Sequence, residues 1–516
     1  MIHCYKLCGH NIVLDVASGS VHSVDDVVYD VILMYAAVVD SGGAVGGEAR
    51  GVDSGGAVRG VVGGGERSVV DDKARSAIIA RILEKHADKT ESDVRAIIDD
   101  IEKLINRGKL FSVDNFERAT APNGARCAPN GAHCAANTPD GGHCAAQDGA
   151  IKALCLNVSH ACNMSCAYCF AHESLNTPSS LMTAETGRQA IDFLIKNSGK
   201  RKNLDIDFFG GEPLLNLSTI KDIVAYAREV EKKTDKKFRF TLTTNGLLID
   251  DDVIAFTNKE IHNVVLSLDG RQQVHDKMRK LQDGTGSYDE VLPRIKNLVE
   301  KRRHKGYYIR GTFTRENMDF VNDILHLSKL GFTELSLEPA VTKRGDPTAF
   351  TKDDLSELFR QYDVLAVEMK RRADNAVFVR PSDIPTEERQ FNFYHYNLDL
   401  ENAPCVHKRI AGCGVATDYM AVTPSGELYP CHQFIGEKAC LLGDVWSGVT
   451  NRSLREKFAA VNIYSRKECR ACWARFYCSG GCAANAYHAS GSIDGLHEIG
   501  CELFKKRIEN AIMLKF

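Results

Sequence analysis

The sequence lacks an excess of charge of either sign, and it lacks a long apolar run. Its 65 Lys and Arg residues nearly balance 68 Asp and Glu residues, which leaves a formal net charge of -3. The chain therefore has no global basic field of the kind that indicates nucleic acid or a membrane surface as a partner. No apolar run reaches the roughly 20 residues that a membrane-spanning helix needs. These absences argue against a nucleic-acid-binding protein and against a helical membrane protein.

An export signal is also missing, which changes how the cysteines are interpreted. The first residues, Met1 to Lys6, do not show the pattern of a secretory signal peptide, so we expect a cytoplasmic protein. The chain nevertheless has 18 cysteines in 516 residues. In a small secreted domain they would indicate disulfides, whereas clustered C-x2-C spacings in a long chain without an export signal indicate metal. The length and a hydrophobic fraction of 44% predict a globular protein of about two to four domains.

Residues 1–115 predict a small domain with a β-hairpin followed by three helices. The strand candidates of the hairpin are residues 11–16 and 21–24. The helix candidates are residues 25–35, 73–86 and 92–106, and residues 109–112 are a further short strand candidate. This order is typical of a winged-helix arrangement. DNA binding is one alternative, but the helices carry mixed charge without a basic stripe.

Two segments of low complexity interrupt this pattern. The first, at about 40–70, repeats Ser41-Gly42-Gly43-Ala44-Val45 nearly intact as residues 54–58. The second, residues 116–149, is dominated by Asn-Gly and Asp-Gly turns. Its His133-Cys134 and His143-Cys144 pairs are possible metal ligands, but its composition favours a linker.

From Ile151 to about Ala340, strand and helix patterns alternate. The strand candidates are residues 151–158, 204–210, 238–244, 263–269, 307–314 and 333–340. Six β/α units predict a parallel sheet with right-handed crossovers, and we expect a partial (β/α)6 barrel over residues 150–345. Such an incomplete barrel is open on one side and suits a large substrate such as a peptide, with the functional site at the carboxyl ends of the strands. A helical bridge over residues 346–400 and a Cys-rich domain over residues 401–516 follow.

The first strand is followed by a C-x3-C-x2-C motif formed by Cys162, Cys166 and Cys169. Three thiolates this close can bind three irons of a 4Fe–4S cluster, which normally takes four cysteine ligands. The missing fourth ligand leaves one iron open to a substrate. A zinc site or three ordinary thiols are the alternatives.

Polar residues follow the later strands at the same rim. Gly210 and Gly211 let the backbone approach a ligand closely, and Glu212 is placed to accept hydrogen bonds from an ammonium group. The remaining candidates at the strand ends are Asn245, Ser267, Asp269, Arg310 and Glu338. Each of them has an alternative role in a turn or in a structural hydrogen bond.

Together, the cysteine spacing, the aromatic Tyr168 before the last cysteine and the GGEP motif at 210–213 resemble the radical S-adenosylmethionine (SAM) enzymes. The resemblance implies that the open iron chelates SAM and that a reduced cluster cleaves SAM to a 5′-deoxyadenosyl radical. It further implies that the GGEP motif receives the SAM amino group and that Arg310 pairs with the SAM carboxylate. Tyr168 would pack near the cluster and the adenine edge, and Asn245 and Ser267 would border the ribose and the substrate.

A second group of cysteines lies in the C-terminal region. Cys413, Gly426 and Cys431 fit C-x12-G-x4-C, and C-x2-C-x5-C-x3-C follows from Cys469 to Cys482, before a final Cys501. This order resembles the seven-cysteine SPASM extension, which implies two auxiliary 4Fe–4S clusters. The implied outer cluster is held by Cys469, Cys472, Cys478 and Cys501. The implied inner cluster is held by Cys413, Cys431 and Cys482, with Cys405 or a substrate thiolate as the fourth ligand. Zinc is the alternative metal, and Cys4, Cys8, Cys155 and Cys440 remain as ordinary thiols.

Several longer stretches, such as residues 11–16, 307–312 and 472–485, are similar to the maturases of SCIFF (six-cysteine) peptides. The resemblance implies an enzyme with SAM and three 4Fe–4S clusters that joins a cysteine sulfur of a Cys-rich precursor peptide to an α-carbon. It also implies that the leader segment of the peptide adds as a strand to the small N-terminal sheet, and that flavodoxin or ferredoxin donates electrons. The two low-complexity segments depart from the family pattern.

Two other functions compete with this hypothesis. One is the oxidation of a protein side chain, as in anaerobic sulfatase-maturating enzymes. The other is a redox-sensing winged-helix regulator with structural clusters. The sequence identifies no general base, no precursor peptide and no number of crosslinks.

Overall fold

The computed structural model describes residues 1–40, 70–117, 150–169, 180–342, 345–346, 348–376, 383–400 and 406–516. The two low-complexity segments lie almost entirely outside these ranges. Cys405 and the two His-Cys pairs also lie outside the described residues.

The N-terminal unit is a three-stranded antiparallel sheet packed against three helices. The strands, in sheet order, are β1 (Ile2–Leu7), β2 (His10–Asp15) and β3 (Val21–Val24), and the helices are α1 (Asp26–Asp40), α2 (Asp72–Lys85) and α3 (Glu91–Asn106). They enclose a hydrophobic core of their own, with Val13, Tyr35, Ile82 and Ile98 buried in it. A capping box between Thr90 and Asp93 begins α3, because each side chain satisfies a backbone N–H group of the other residue.

The hairpin and the three helices that the sequence predicts are present, but the third strand comes from a different segment. The strand predicted at residues 109–112 is wrong, because Gly108 and Phe111 have φ values of 65° and 51° and turn the chain. The third strand of the sheet is β1, which pairs with β2. In this pairing Ile2 lies opposite Asp15, and Leu7 lies opposite His10.

Six parallel strands form the centre of an eleven-stranded sheet. In sheet order they are β4 (Ala153–Ser159), β6 (Asn203–Gly210), β7 (Lys237–Thr244), β8 (Asn263–Ser267), β10 (Gly306–Phe313) and β11 (Glu334–Pro339). β5 (Met164–Cys166) and β9 (Arg279–Leu281) form a separate antiparallel ribbon. The α/β class and the six predicted strands are confirmed, with β8 ending two residues earlier than predicted.

The helices of this region run between the strands. They are α4 (Ala184–Asn197), α5 (Leu217–Glu231), α6 (Asp251–Glu260), α7 (Gln272–Met278), α8 (Tyr288–Arg302) and α9 (Phe320–Lys329). The strands have the period of two that side chains on a sheet impose. On β6 and β7, for example, Ile206, Phe208, Phe240 and Leu242 are fully buried, and the rings of Phe208 and Phe240 stack at 5.7 Å.

The C-terminal region extends this sheet at both edges. β12 (Asn392–Phe393) pairs in parallel with β11, and β13 (Tyr419–Val422) pairs in parallel with β4. The antiparallel strands β14 (Glu427–Tyr429), β15 (Gly443–Asp444) and β16 (Gly448–Val449) follow β13. Because β4 pairs with β13 rather than with β11, the six central strands form an open sheet and not a closed barrel.

The remaining helices surround the C-terminal cysteines. They are α10 (Leu355–Ala376), α11 (Val406–Ala411), α12 (Arg452–Ala460), α13 (Lys467–Arg470), α14 (Arg475–Cys478), α15 (Ala483–Ser490) and α16 (Glu498–Met513). None of the described helices combines the length and the hydropathy that crossing a bilayer requires.

The N-terminal unit packs against the C-terminal cysteine region. The His3 ring stacks on Trp473 with the ring centroids 3.7 Å apart, and its Nε2 lies 3.0 Å from Oε1 of Glu509. Asp114 accepts hydrogen bonds from the Tyr464 hydroxyl and from the Arg475 guanidinium. Segments from opposite ends of the sequence therefore share one interface.

Candidate functional site

A cavity of about 770 Å³ lies at the carboxyl ends of the parallel strands. Three parts of the chain line it: the first cysteine loop, the strand ends and the C-terminal cysteine region. The predicted site residues on its walls are Cys162, Cys166, Tyr168, Cys169, Gly210, Gly211, Glu212, Asn245, Ser267, Arg310, Glu338, Cys413, Cys478, Cys482 and Cys501. The structure thus brings members of both groups of cysteines to one cavity, whereas Cys431, Cys469 and Cys472 are not among its lining residues.

The first cysteine loop is partly regular. Its middle is β5, in which Cys166 lies directly opposite Arg279 of β9, and a backbone bond from Cys169 to Cys166 closes the following turn. Burial raises the pKa of the Cys162 thiol to about 11, and the neighbouring Glu212, Cys166 and Cys169 act in the same direction. The raised pKa favours the protonated thiol. A bound metal would favour the thiolate instead, because metal coordination stabilises the deprotonated sulfur.

Glycine is required where β6 ends. Gly210 has a φ of 129°, and a Cβ atom at this position would clash with the carbonyl oxygen of Ser159. Close contact of the backbones lets the Gly211 N–H donate to Ser159 over 2.7 Å and the Glu212 N–H donate to Ala161 over 2.9 Å. These bonds tie the GGEP motif to the start of the cysteine loop.

Glu212 is fully buried, and its carboxylate is used mostly by the protein itself. Oε1 accepts hydrogen bonds from the Leu214 N–H and the Thr244 hydroxyl, and Oε2 accepts one from the Asn245 N–H. Burial raises the pKa of this carboxyl group, while the three donors oppose the rise. A carboxylate has about four acceptor positions, so one remains on Oε2 for a ligand. Glu212 therefore joins the ends of β6 and β7 as well as facing the cavity.

Asn245 also holds the cysteine loop. Its Nδ2 donates to Oδ1 of Asn163 over 2.7 Å and lies 3.9 Å from the Cys162 sulfur, while its Oδ1 accepts from the Leu247 N–H. The side chain predicted to border a ribose thus also fixes the loop, and it lines the cavity. Ser267, at the end of β8, borders the cavity.

Tyr168 is held by two charged residues on either side of its hydroxyl. The hydroxyl donates to Oδ2 of Asp269 over 2.6 Å and accepts from Nη1 of Arg279 over 2.9 Å. The other oxygen of the fully buried Asp269 accepts from the Thr312 N–H. Asp269 therefore fixes Tyr168 without itself lining the cavity. Arg279 was not predicted from the sequence, because its three-residue strand has no periodic signal.

Arg310 and Glu338 form an ion pair on the cavity wall. Nη2 of Arg310 lies 3.0 Å from Oε2 of Glu338, so the guanidinium already has a carboxylate partner on the next strand. Burial acts to raise the pKa of Glu338, but Arg310, His395 and Arg507 together hold it below its ordinary value. His395 was missed by the sequence reasoning; its Nε2 lies 3.1 Å from the Ser336 hydroxyl.

Two sets of neighbouring thiols lie among the C-terminal cysteines. Burial raises the pKa of Cys478 to about 12, and Cys501, Cys472 and Cys469 are the neighbouring thiols that add to the rise. Burial likewise raises the pKa of Cys431, with the thiols of Cys482 and Cys413 as neighbours. Cys4 and Cys440 are buried, Cys155 is buried near Cys431, and Cys8 is exposed.

Among the described side chains, no group of three His, Cys, Asp or Glu residues is arranged to hold a single metal ion. The assignment of the cysteines to clusters is therefore a proposal.

Comparisons with known proteins show what the central region of the chain is similar to. Residues 156–327 match the model of the radical SAM superfamily. The chain is 23% identical over 382 residues to the radical SAM cyclopropyl synthase TigE of Paramaledivibacter caminithermalis, covering 70% of this chain and 74% of that protein. It is 22% identical to a cysteine-type anaerobic sulfatase-maturating enzyme of Clostridium novyi, covering 70% of this chain and 96% of that enzyme. It is 25% identical to the mycofactocin maturase MftC of Mycolicibacterium smegmatis, covering 67% and 82%.

A solved structure shares the fold. The anaerobic sulfatase maturase anSMEcpe with bound AdoMet superposes with a TM-score of 0.57 at 21% identity, covering 70% of this chain and 97% of that chain. The chain thus contains a radical SAM domain with the corresponding α/β fold, homologous to maturases.

Proposed function

We propose that the protein is a radical SAM maturase that forms bonds between cysteine sulfur and α-carbon atoms in a Cys-rich, SCIFF-type precursor peptide. The observation that carries the proposal is the single cavity that reaches from the first cysteine loop, past the strand ends, to the second group of cysteines. A peptide in this cavity would have a radical source on one side and thiol-rich walls on the other.

Cys162, Cys166 and Cys169 fit a 4Fe–4S cluster with one open iron, because they lie on one loop and border open space. With SAM bound, such a cluster supplies one-electron cleavage of SAM to a 5′-deoxyadenosyl radical. Gly210 and Gly211 line the same cavity, and the free acceptor position of Glu212 would receive the amino group of SAM. Tyr168, Asn245 and Ser267 would shape the rest of this half of the site.

Arg310 could contact a bound substrate while it remains paired with Glu338. As an ion pair with Glu338, it presents both a donor group and an acceptor group to the cavity. We assign the pair to the peptide rather than to SAM, because a peptide backbone offers N–H and C=O groups in alternation. A SAM carboxylate would have to compete with Glu338 for the guanidinium.

The two C-terminal cysteine groups fit two auxiliary 4Fe–4S clusters. Cys469, Cys472, Cys478 and Cys501 would form a complete ligand set for one. Cys413, Cys431 and Cys482 would hold the other, with Cys405 or a thiolate of the peptide as the fourth ligand. A coordinated peptide sulfur would be deprotonated and fixed in place.

The proposed reaction balances as follows. One α-hydrogen atom goes to the deoxyadenosyl radical, and the peptide thiol loses its proton to solvent. The sulfur–carbon bond then forms with the release of one electron, which an auxiliary cluster can accept. A flavodoxin or a ferredoxin would supply the electron that starts each turnover.

The N-terminal sheet supplies a place for the leader segment of the peptide. Tyr5 of β1 donates a hydrogen bond to the Glu509 carbonyl, and His3 stacks on Trp473, so the β1 edge faces the C-terminal region. β3 is the opposite edge of the sheet. A peptide strand added to β3 would gain backbone hydrogen bonds.

The test is anaerobic reconstitution with the candidate precursor peptide, followed by mass spectrometry of the peptide and of 5′-deoxyadenosine. A peptide that loses two hydrogens for each bond and keeps its sulfur supports the proposal. The competing outcome is the oxidation of a single cysteine to formylglycine with loss of sulfur. That product would show a different reaction, and protein without iron would contradict the whole proposal.

A further inference from the structure

Arg279 is a buried cation that the proposed function leaves without a role. Its residue is only 8% exposed, and it borders the cavity. Nη1 donates to the Tyr168 hydroxyl, while Nε is buried and has no hydrogen-bond partner among the described residues. Burial of a guanidinium is costly unless charge or hydrogen bonds compensate it. A buried charge with one neutral hydrogen-bond partner therefore needs a further source of stabilisation.

The Tyr168 hydroxyl lies between Arg279 and the carboxylate of Asp269. Tyr168 accepts from the guanidinium and donates to Asp269, so the three groups form a chain from cation to carboxylate. Asp269 is in turn fixed by the Thr312 N–H. Because of this series of hydrogen bonds, Arg279 forms no direct ion pair with Asp269, and its positive charge stays on the side of the cysteine loop.

Backbone pairing fixes Arg279 against that loop. Arg279 of β9 lies opposite Cys166 of β5, and the Ala167 N–H donates to the Met278 carbonyl over 2.8 Å. The Tyr168 side chain reaches back from the same loop. The guanidinium is therefore attached to the loop both through the β5–β9 pairing and through the hydroxyl of Tyr168.

We propose that Arg279 is a positioning residue whose fixed positive charge stabilises the reduced form of the cluster held by Cys162, Cys166 and Cys169. The inference rests on the proposed function, because it requires that cluster. Three thiolates and a cubane carry net negative charge, and reduction by one electron adds another. A nearby cation in a site of low dielectric constant stabilises the more negative form and so raises the reduction potential.

The chain offers a matched control. Lys277 is also cationic and lies two residues earlier, but its side chain is 59% exposed and pairs with Glu316. Solvent screens such a charge. Loss of the Lys277 charge should therefore leave the potential unchanged, whereas loss of the Arg279 charge should not.

The experiment compares anaerobically reconstituted wild-type protein with the variants Arg279→Gln, Arg279→Lys and Lys277→Gln. Each is titrated with dithionite before SAM is added, and electron paramagnetic resonance follows the signal that SAM perturbs in a parallel sample. Arg279→Gln should move the midpoint potential to a more negative value. Arg279→Lys should give a smaller shift in the same direction, and Lys277→Gln should give none. A wild-type potential in Arg279→Gln protein with wild-type iron content would overturn the proposal.

A second variant covers the case in which Arg279→Gln fails to take up iron. Tyr168→Phe keeps the cation and removes its hydrogen-bond partner, so the guanidinium should be less well fixed and the potential should fall slightly. Wild-type potentials in both Arg279→Lys and Tyr168→Phe would overturn the proposal. A wild-type protein with a SAM-responsive cluster but no crosslinked product would contradict the proposed function alone. A wild-type protein without such a cluster would contradict both.

Discussion

The two cysteine regions face the same cavity but are held in place by different means. The first loop lies between regular elements: β4 precedes it, β5 and β9 form its ribbon, and Glu212 and Asn245 fix it from neighbouring strand ends. The second region consists of short helices and loops, such as α13 and α14, which have four residues each. The N-terminal unit packs against these short elements.

The two cysteine regions are thus held in position by contacts with different parts of the chain. Hydrogen bonds of the central sheet position the first loop locally. In the second region, Trp473, Arg475 and Phe476 lie between Cys472 and Cys478. Each contacts a residue within the first 116 of the sequence. The second region should therefore respond to changes in the N-terminal unit, whereas the first should not.

The largest effect is expected from Cys166→Ala. It removes one of three ligands of the proposed SAM-binding cluster, so deoxyadenosine and crosslinked peptide should both fall to background. Iron bound by the second region should remain, which separates the two regions directly. Chromatography of deoxyadenosine and iron analysis provide the measurement.

Cys440→Ala is the control for this experiment, because Cys440 is buried outside both cysteine groups. It should retain activity. Crosslinked peptide from Cys166→Ala protein would contradict the mechanism.

Glu212→Gln should have the next largest effect, on the strand ends that hold the first loop. An amide NH2 group would face the N–H of Asn245 or of Leu214, so at least one buried donor would lose its acceptor. We expect a loss of about 3 kcal/mol in the free energy of unfolding, measured by denaturant titration.

The exposed Glu229→Gln substitution, which removes a surface pair with Lys232, should leave stability essentially unchanged because solvent screens that pair. Equal effects at the two positions would mean that Glu212 does not organise the strand ends.

Arg475→Met tests the dependence of the second region on the N-terminal unit. It removes a nearly buried guanidinium that donates to Asp114 over 3.0 Å and to the Cys472 carbonyl over 3.1 Å. We expect a loss of about 2 kcal/mol together with less iron in the second region. The SAM-perturbed signal of the first loop should keep its intensity.

Arg470→Gln is the matched control, since the pair of Arg470 with Glu117 is about half exposed on both sides. It should leave iron content unchanged. If Arg475→Met lowered the first signal as much as the second, the two regions would not be held independently.

The smallest effect is a change in the pH dependence of stability. Burial lowers the pKa of His395 to about 3, so folded protein binds fewer protons than unfolded protein between about pH 3 and pH 6.5. Stability should therefore rise with pH across this window and fall on acidification. At pH 5.5 the His395 contribution to the loss is about 1 kcal/mol.

His395→Gln should flatten this part of the profile, as measured by thermal or denaturant unfolding at several pH values. Because His395 lies beside Glu338 at the strand ends, acid should disturb that side of the cavity. An unchanged slope in the variant would show that His395 is not a neutral buried group.

The sequence allowed the long, regular elements to be predicted, because their physical signals are local. Strands such as β6 and β7 alternate buried and polar residues over eight positions. The short strands β12 to β16 were missed, since two to four residues show no period. Arg279 was missed for a related reason: its importance arises from pairing with Cys166, which lies far away in the sequence.

The same limit applies to the assignment of roles at the strand ends. Arg310 and Glu338 both line the cavity, but the ion pair between them follows from the register of β10 and β11, in which Thr312 lies opposite Glu338. Local residue type indicated a charged group, and only the sheet determined its partner.

The pairing of β4 with β13 has a consequence for biosynthesis. β4 emerges from the ribosome early, but the strand that covers its outer edge is made only after the whole central sheet has been translated. Until then, the nascent chain presents an uncovered parallel edge, which is a template for aggregation. Efficient production of this protein should therefore depend on slow growth or on chaperones that shield that edge until translation is complete.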